Sequence, residues 1–201
     1  MPAIQGFQIP DLLREAASPW GDRIVVEVED LQGESSDGLS ADFLVRLSWE
    51  GQTYRFVAEA KTRSTPKVVQ AAAEQAKEYA RSAGLLPMVV VPYLSDRQAQ
   101  ALIERGVSGL DLSGNGVIVV PGEMLLCQTG RRNQYPESQP VRYAYRGSTS
   151  VVPRVFLARP SYGSVKELRS EIQTRGVKVA PSTVSKALSR MEEDVLIRRG
   201  E

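Results

Sequence analysis

The 201-residue chain contains no histidine, and that absence excludes more than any positive count establishes. No Ser-His-Asp or Cys-His nucleophile system, no HExxH motif and no histidine general base can be assembled. Cysteine is nearly absent too: Cys127 stands alone, which rules out a Cys/His zinc finger and any internal disulfide. The lone thiol points to a reducing compartment, and within Met-Leu-Leu-Cys it is expected as a buried apolar residue. Long apolar runs are missing. The longest, residues 85–92, is far too short to span a bilayer, and the opening MPAIQGFQIPDLL lacks the basic-then-apolar pattern of a secretory leader. The expected location is cytoplasmic. Nor is there an excess of one charge: 25 Lys+Arg against 24 Asp+Glu leave +1, so any basic surface must be local. Hydrolytic chemistry is left with carboxylates, lysine and a metal ion.

What is present reads first as an α/β domain. Residues 10–18 suit a short helix with Leu12, Leu13 and Ala16 on one side, and 22–30 a strand. Residues 31–40 form a Gly/Ser/Asp loop. Residues 41–48 and 52–62 read as a hairpin around Glu50-Gly51. The spacing then predicts a helix over 66–83, capped by Thr65, started by Pro66 and ended by Gly84. Residues 86–92 suit a buried strand of a parallel sheet, and 95–105 a capped helix ended by Gly106. Two short strands are expected in 107–120 around Ser113-Gly114-Asn115-Gly116. Asp111 and Asn115 are simplest as a strand acid and a turn residue. This order predicts a mixed sheet. The polar stretch 128–149 reads as a linker or arm, so the expected domains are 1–127 and 150–201.

The chemistry-bearing set lies in the hairpin: Asp42, then Glu59-Ala60-Lys61 closing the second strand. Residues two apart on a strand share a face, so Glu59 and Lys61 point the same way, and the hairpin partner brings Asp42 alongside. Two carboxylates and an ammonium at a sheet edge suit a hard divalent cation and a water attacking a phosphodiester. The following helix carries Gln75 and Tyr79 on one face.

This pattern resembles the PD-(D/E)XK nuclease superfamily, in its Mrr and Holliday-junction-resolvase branch, over residues 10–122. The resemblance implies a restriction-endonuclease-like mixed-sheet domain that binds Mg²⁺ or Mn²⁺ through Asp42, Glu59 and the Ala60 carbonyl. It implies Lys61 as the catalytic lysine, Gln75 as a further catalytic residue with Tyr79 near it, and Glu15 as an additional acid. The residue before Asp42 is Ala41, where the motif name has proline. A narrower likeness joins residues 90–95 (VVPYLS in 90–95 as V-V-P-Y-L-S) to G-V-S-G-L-D-L-S-G-N in 106–115, and is similar to bacterial AbiEi-type antitoxins and transcriptional regulators.

A second constellation follows. Residues 150–158 suit a short helix. Residues 164–175 suit another, with Ser164 and Glu167 as a capping box, and residues 180–194 a third, with a strand over 195–200. Residues 164–199 resemble a winged helix-turn-helix, with PSTVSKALSR in 181–190 as its recognition helix. Val184, Leu188 and Met191 face its core, and Ser182, Thr183, Ser185, Lys186, Ser189 and Arg190 lie outward, where hydroxyls and cations meet phosphates and base edges. The wing lacks a return strand before Glu201, so either the wing is incomplete or, as expected here, the chain is part of a longer protein. The expected partner is DNA, with a homodimer matching two-fold DNA and a toxin implied by the antitoxin likeness. Three functions stand open: a Mg²⁺-dependent DNA endonuclease, a non-catalytic antitoxin-like repressor, and a pure protein-interaction module.

Overall fold

A computed structural model describes residues 4–16, 18–21, 24–29, 41–138 and 147–198. The expected loop over 31–40 lies outside these, as do 139–146 of the expected linker. The chain divides into two compact units, Met1–Gln139 and Pro140–Glu201.

The first unit is mixed α/β. Helix α1 (Ile9–Glu15) precedes β1 (Val25–Glu29), β2 (Phe43–Trp49) and β3 (Gln52–Ala60). Helix α2 (Pro66–Ala83), β4 (Leu86–Val91) and α3 (Asp96–Glu104) follow, then β5 (Ser108–Asp111), β6 (Gly116–Val120) and β7 (Met124–Gln128). All seven strands form one sheet in sequential order. β3, β4 and β5 are mutually parallel, and the other pairs are antiparallel. The β2–β3 turn follows from its residues: Glu50 and Gly51 take φ of 47° and 79°, the positive pair that matches strand twist in a type I′ turn.

The period-two pattern of β2 buries Phe43, Val45 and Leu47 on the α1 face, where they join Ile9, Leu13, Phe56, Met88 and Ile118. α2 and α3 cover the opposite face. There Val69, Ala72, Ala73 and Ala76 of α2 and Ala99 and Leu102 of α3 meet Val89, Val91 and Val117. Small alanines let α2 approach closely. Gly109 serves the same end under α3, since a Cβ there would sit 2.5 Å from Leu102 Cδ1. Both limits of α2 are locally encoded. Thr65 Oγ1 accepts the Val68 N–H at 3.3 Å, and Gly84 ends the helix at φ 65°.

Two expectations about this unit are corrected. β7 was not expected, because Met124–Gln128 becomes a strand only by pairing with β6. Its alternation leaves Leu125 and Cys127 exposed: as the last strand of the sheet it has no further layer to bury the thiol. Nor are residues 129–138 a free linker. Arg131 N–H donates to Asn115 Oδ1 (2.8 Å), Gln134 N–H to Ser113 Oγ (3.2 Å), and Ser64 N–H to Ser138 O (2.9 Å).

The second unit holds three helices, α4 (Val151–Ala158), α5 (Val165–Thr174) and α6 (Pro181–Glu193). Val152, Val155, Leu168, Ile172, Val184, Leu188 and Met191 form its core. Ser164 Oγ caps α5 by accepting the Glu167 N–H. The return half of the expected capping box goes elsewhere. Glu167 accepts from the Gly163 N–H at 2.8 Å and pairs with Arg159 at 2.5 Å, and these contacts hold its pKa below the ordinary carboxylate value. The expected strand over 195–200 is absent among the described residues. α6 instead closes in a Schellman-type turn, with Val195 at φ 58° and the Leu196 N–H donating to Met191 O. Among the described residues no helix is long and apolar enough to cross a membrane.

Candidate functional site

β3 enters the core polar and leaves it charged. Val57, Ala58 and Glu59 are all buried, Glu59 at 4% exposure. A carboxylate so placed sheds most of its hydration, and this desolvation is the main cause that raises the Glu59 pKa. The Asp42 charge adds to the rise, whereas the hydrogen bond and charge of Lys61 oppose it. Lys61 Nζ donates to Glu59 Oε1 in a close ion pair, with the lysine about one-third exposed. The shared face expected for Glu59 and Lys61 is therefore observed.

Asp42 precedes β2 and is exposed. Its N–H donates to Ala58 O at 3.2 Å, and its Oδ2 accepts the Ala60 N–H at 2.7 Å. The aspartate side chain thus takes the place of a strand backbone at the end of the β2–β3 ladder. A residue in a strand directs its N–H and C=O to the same side, so the Ala60 carbonyl also faces Asp42. On the other side of β3, Lys61 N–H donates to Val90 O at 2.9 Å. That bond anchors the strand end to β4.

The oxygen set fits a hard divalent ion. Among the described residues, Asp42 Oδ1 and Glu59 Oε2 have no hydrogen-bond partner, and the Ala60 carbonyl is adjacent. Mg²⁺ is commonly held by one or two carboxylates, with water completing its shell. No group of three acidic, Cys or His ligands occurs among the described residues, so any ion here rests on two carboxylates. Glu15 does not add a third: it is exposed at the end of α1, the helix on the opposite sheet face from Val57 and α2. Gln75 is exposed on α2 with no described contact to the trio. Tyr79, one turn further on, is half-buried against the cluster of Ala41, Val57 and Ala80, beside the Asp42 backbone.

The segment 111–115 proves to be a structural keystone. Asp111 is 2% exposed and accepts from Leu94 N–H (2.7 Å), Ser113 N–H (2.8 Å), Asn115 N–H (2.7 Å) and Asn115 Nδ2 (2.7 Å). Burial pushes its pKa up, against the pull of these four donors. Sequence reading identified the turn, but not the burial or the reach to Leu94.

In the second unit, Ser182, Ser185, Lys186 and Ser189 are exposed on α6 and Thr183 is half-buried. Arg190 departs from the expected outward set. It pairs with Asp194 at 2.9 Å, both side chains only about 15% exposed (16% and 15%), because i and i+4 residues on a helix meet. Comparison with protein-family models, with curated proteins and with solved structures finds no match.

Proposed function

We propose that the chain is a DNA-binding protein whose first unit is a restriction-endonuclease-like, Mg²⁺-dependent phosphodiesterase core and whose second unit reads DNA as a helix-turn-helix. The observation that carries the reading is the convergence of Asp42, Glu59, the Ala60 carbonyl and Lys61 at one strand end. Asp42 Oδ1, Glu59 Oε2 and the Ala60 carbonyl would hold the ion. When bound, it supplies Lewis-acid charge to the scissile phosphate. Lys61 orients the attacking water or neutralises charge developing on the phosphate. Gln75 positions the substrate strand. On α6, Ser182, Thr183, Ser185, Lys186 and Ser189 supply hydroxyl and cationic contacts, while Arg190 acts through its pair with Asp194 to hold the helix end.

A second reading, a metal-independent antitoxin-like repressor, draws on a specific observation. Asp42 and Glu59 each already have an internal partner, Ala60 N–H and Lys61. Incubation with supercoiled plasmid and branched DNA in Mg²⁺ or Mn²⁺, beside Asp42→Ala and Lys61→Ala, separates the two. The nuclease reading expects cleavage by the parent chain alone. No cleavage on any substrate, with EDTA-insensitive promoter binding, assigns the chain to the repressor class.

A further inference from the structure

The arginines of the first unit divide by place. Arg14, Arg46, Arg55 and Arg105 each form an ion pair. Arg63, Arg81, Arg97, Arg131 and Arg132 are exposed and have no ion-pair partner among the described residues. Arg81 sits in the last turn of α2, where a cation complements the helix dipole. The other four lie at one end of the sheet, beyond the C-terminal ends of β3, β4 and β5. Arg63 is in the loop after Lys61, Arg97 is in the first turn of α3, and Arg131 and Arg132 are on the segment tied to Asn115.

That end is also where the unit buries its polar side chains. Glu59, Ser64, Thr65, Gln98, Asp111, Ser113, Asn115 and Ser138 are all there, with Ser108 the exception among the described residues of this unit. They stitch the loops together. Gln98 Nε2 donates to Ser64 O at 2.7 Å, Tyr93 N–H to Ser64 Oγ at 3.1 Å, and Ser64 Oγ lies 3.3 Å from Ser138 Oγ. The arginines therefore stand on backbone held rigid by buried hydrogen bonds, beside the Asp42–Glu59–Lys61 trio.

We infer that Arg63, Arg97, Arg131 and Arg132 form a rim that grips the phosphodiester backbone of DNA at the mouth of that site. Neighbouring strands are about 4.8 Å apart, so β3 to β5 spans roughly 10 Å, enough to meet more than one phosphate of a DNA strand. Of the exposed acids at this end, Asp42 belongs to the trio that would hold the ion and Asp96 sits in the first turn of α3, where it serves the helix N-terminus; Glu137 is left as one carboxylate against four guanidiniums. Guanidinium forks suit phosphate oxygens, whereas lysine binds them as a point charge.

The inference rests on the DNA-binding reading above, and its test separates the two. The full chain is titrated into a fluorescein-labelled duplex of about 30 base pairs, and into the matching single strand, between about 50 and 200 mM salt. Arg131→Ala/Arg132→Ala is expected to reduce the slope of log K against log salt by about one per lost contact. Arg63→Ala should do likewise, Arg81→Ala should leave the slope unchanged, and Arg131→Lys/Arg132→Lys should restore most of it. If the parent chain binds but the rim variants behave like Arg81→Ala, the rim is overturned and DNA binding stands. If the parent chain shows no salt-dependent binding, both fall.

Discussion

Asp42 Oδ2 accepts the backbone N–H of Ala60 at 2.7 Å, so the residue that leads into the first strand of the hairpin also terminates the second. This bond leaves Oδ1 as the outward oxygen and holds the Ala60 carbonyl on the same side. Asp42→Asn keeps an acceptor for Ala60 but removes the charge. It should melt within about 0.5 kcal/mol of the parent, as surface substitutions do, while Mn²⁺ affinity by calorimetry falls at least about tenfold. A parent chain that binds no Mn²⁺ at all would remove the metal site from consideration.

Glu59 predicts a dependence on pH. A carboxyl with a higher pKa folded than unfolded holds its proton more tightly in the native state. Stability therefore declines as pH rises from the unfolded value through the raised folded one. Above the unfolded value, the desolvation of Glu59 therefore weighs against folding. Glu59→Gln should raise the melting temperature relative to the parent more at about pH 7 than at about pH 4. Added Mn²⁺ should stabilise the parent and not this variant, because only ligand bound to the native state adds stability.

Asp111 should govern folding and not metal binding. Asp111→Ala leaves the N–H groups of Leu94, Ser113 and Asn115 without their acceptor. At about 1–3 kcal/mol for each buried donor left unsatisfied, the loss should exceed about 3 kcal/mol in urea unfolding. Asp111→Asn should also destabilise, since one of its two donor pairs would face an amide nitrogen. A mild effect in both variants would mean the network relaxes onto water.

Lys186 and Arg190 should separate cleanly. Lys186→Ala, at an exposed position of α6, should leave the melting temperature unchanged and reduce the salt slope of DNA binding by about one. Arg190→Ala removes an ion pair whose two side chains are only about 15% exposed (16% and 15%) and should lower the melting temperature. Equal effects of the two on DNA affinity alone would return Arg190 to the outward set.

Val195 holds a left-handed backbone at φ 58°, which strains a β-branched residue by about 1–2 kcal/mol. Val195→Gly should stabilise the second unit by up to about 1 kcal/mol, read as a higher midpoint in urea. A lower midpoint would show that the lost side chain outweighs the relieved strain.

What local sequence determined is what local physics controls. The alternation of β2, the Glu50-Gly51 turn, the span of α2 from Pro66 to Ala83 and the shared face of Glu59 and Lys61 all follow from contacts within a few residues. The parallel placement of β4 also agrees with its unbroken apolar run. Tertiary structure decided the rest. β7 exists through its partner β6, and Cys127 is exposed because that strand is the last in the sheet. Residues 129–138 join the first unit because Asn115, Ser113 and Ser64 wait for them with unfilled hydrogen bonds. Asp42, separated by 18 residues from Ala60, met its partner only once the hairpin had closed. Pairings across such distances depend on which surfaces the folded chain brings together, and no short window of residues carries that information.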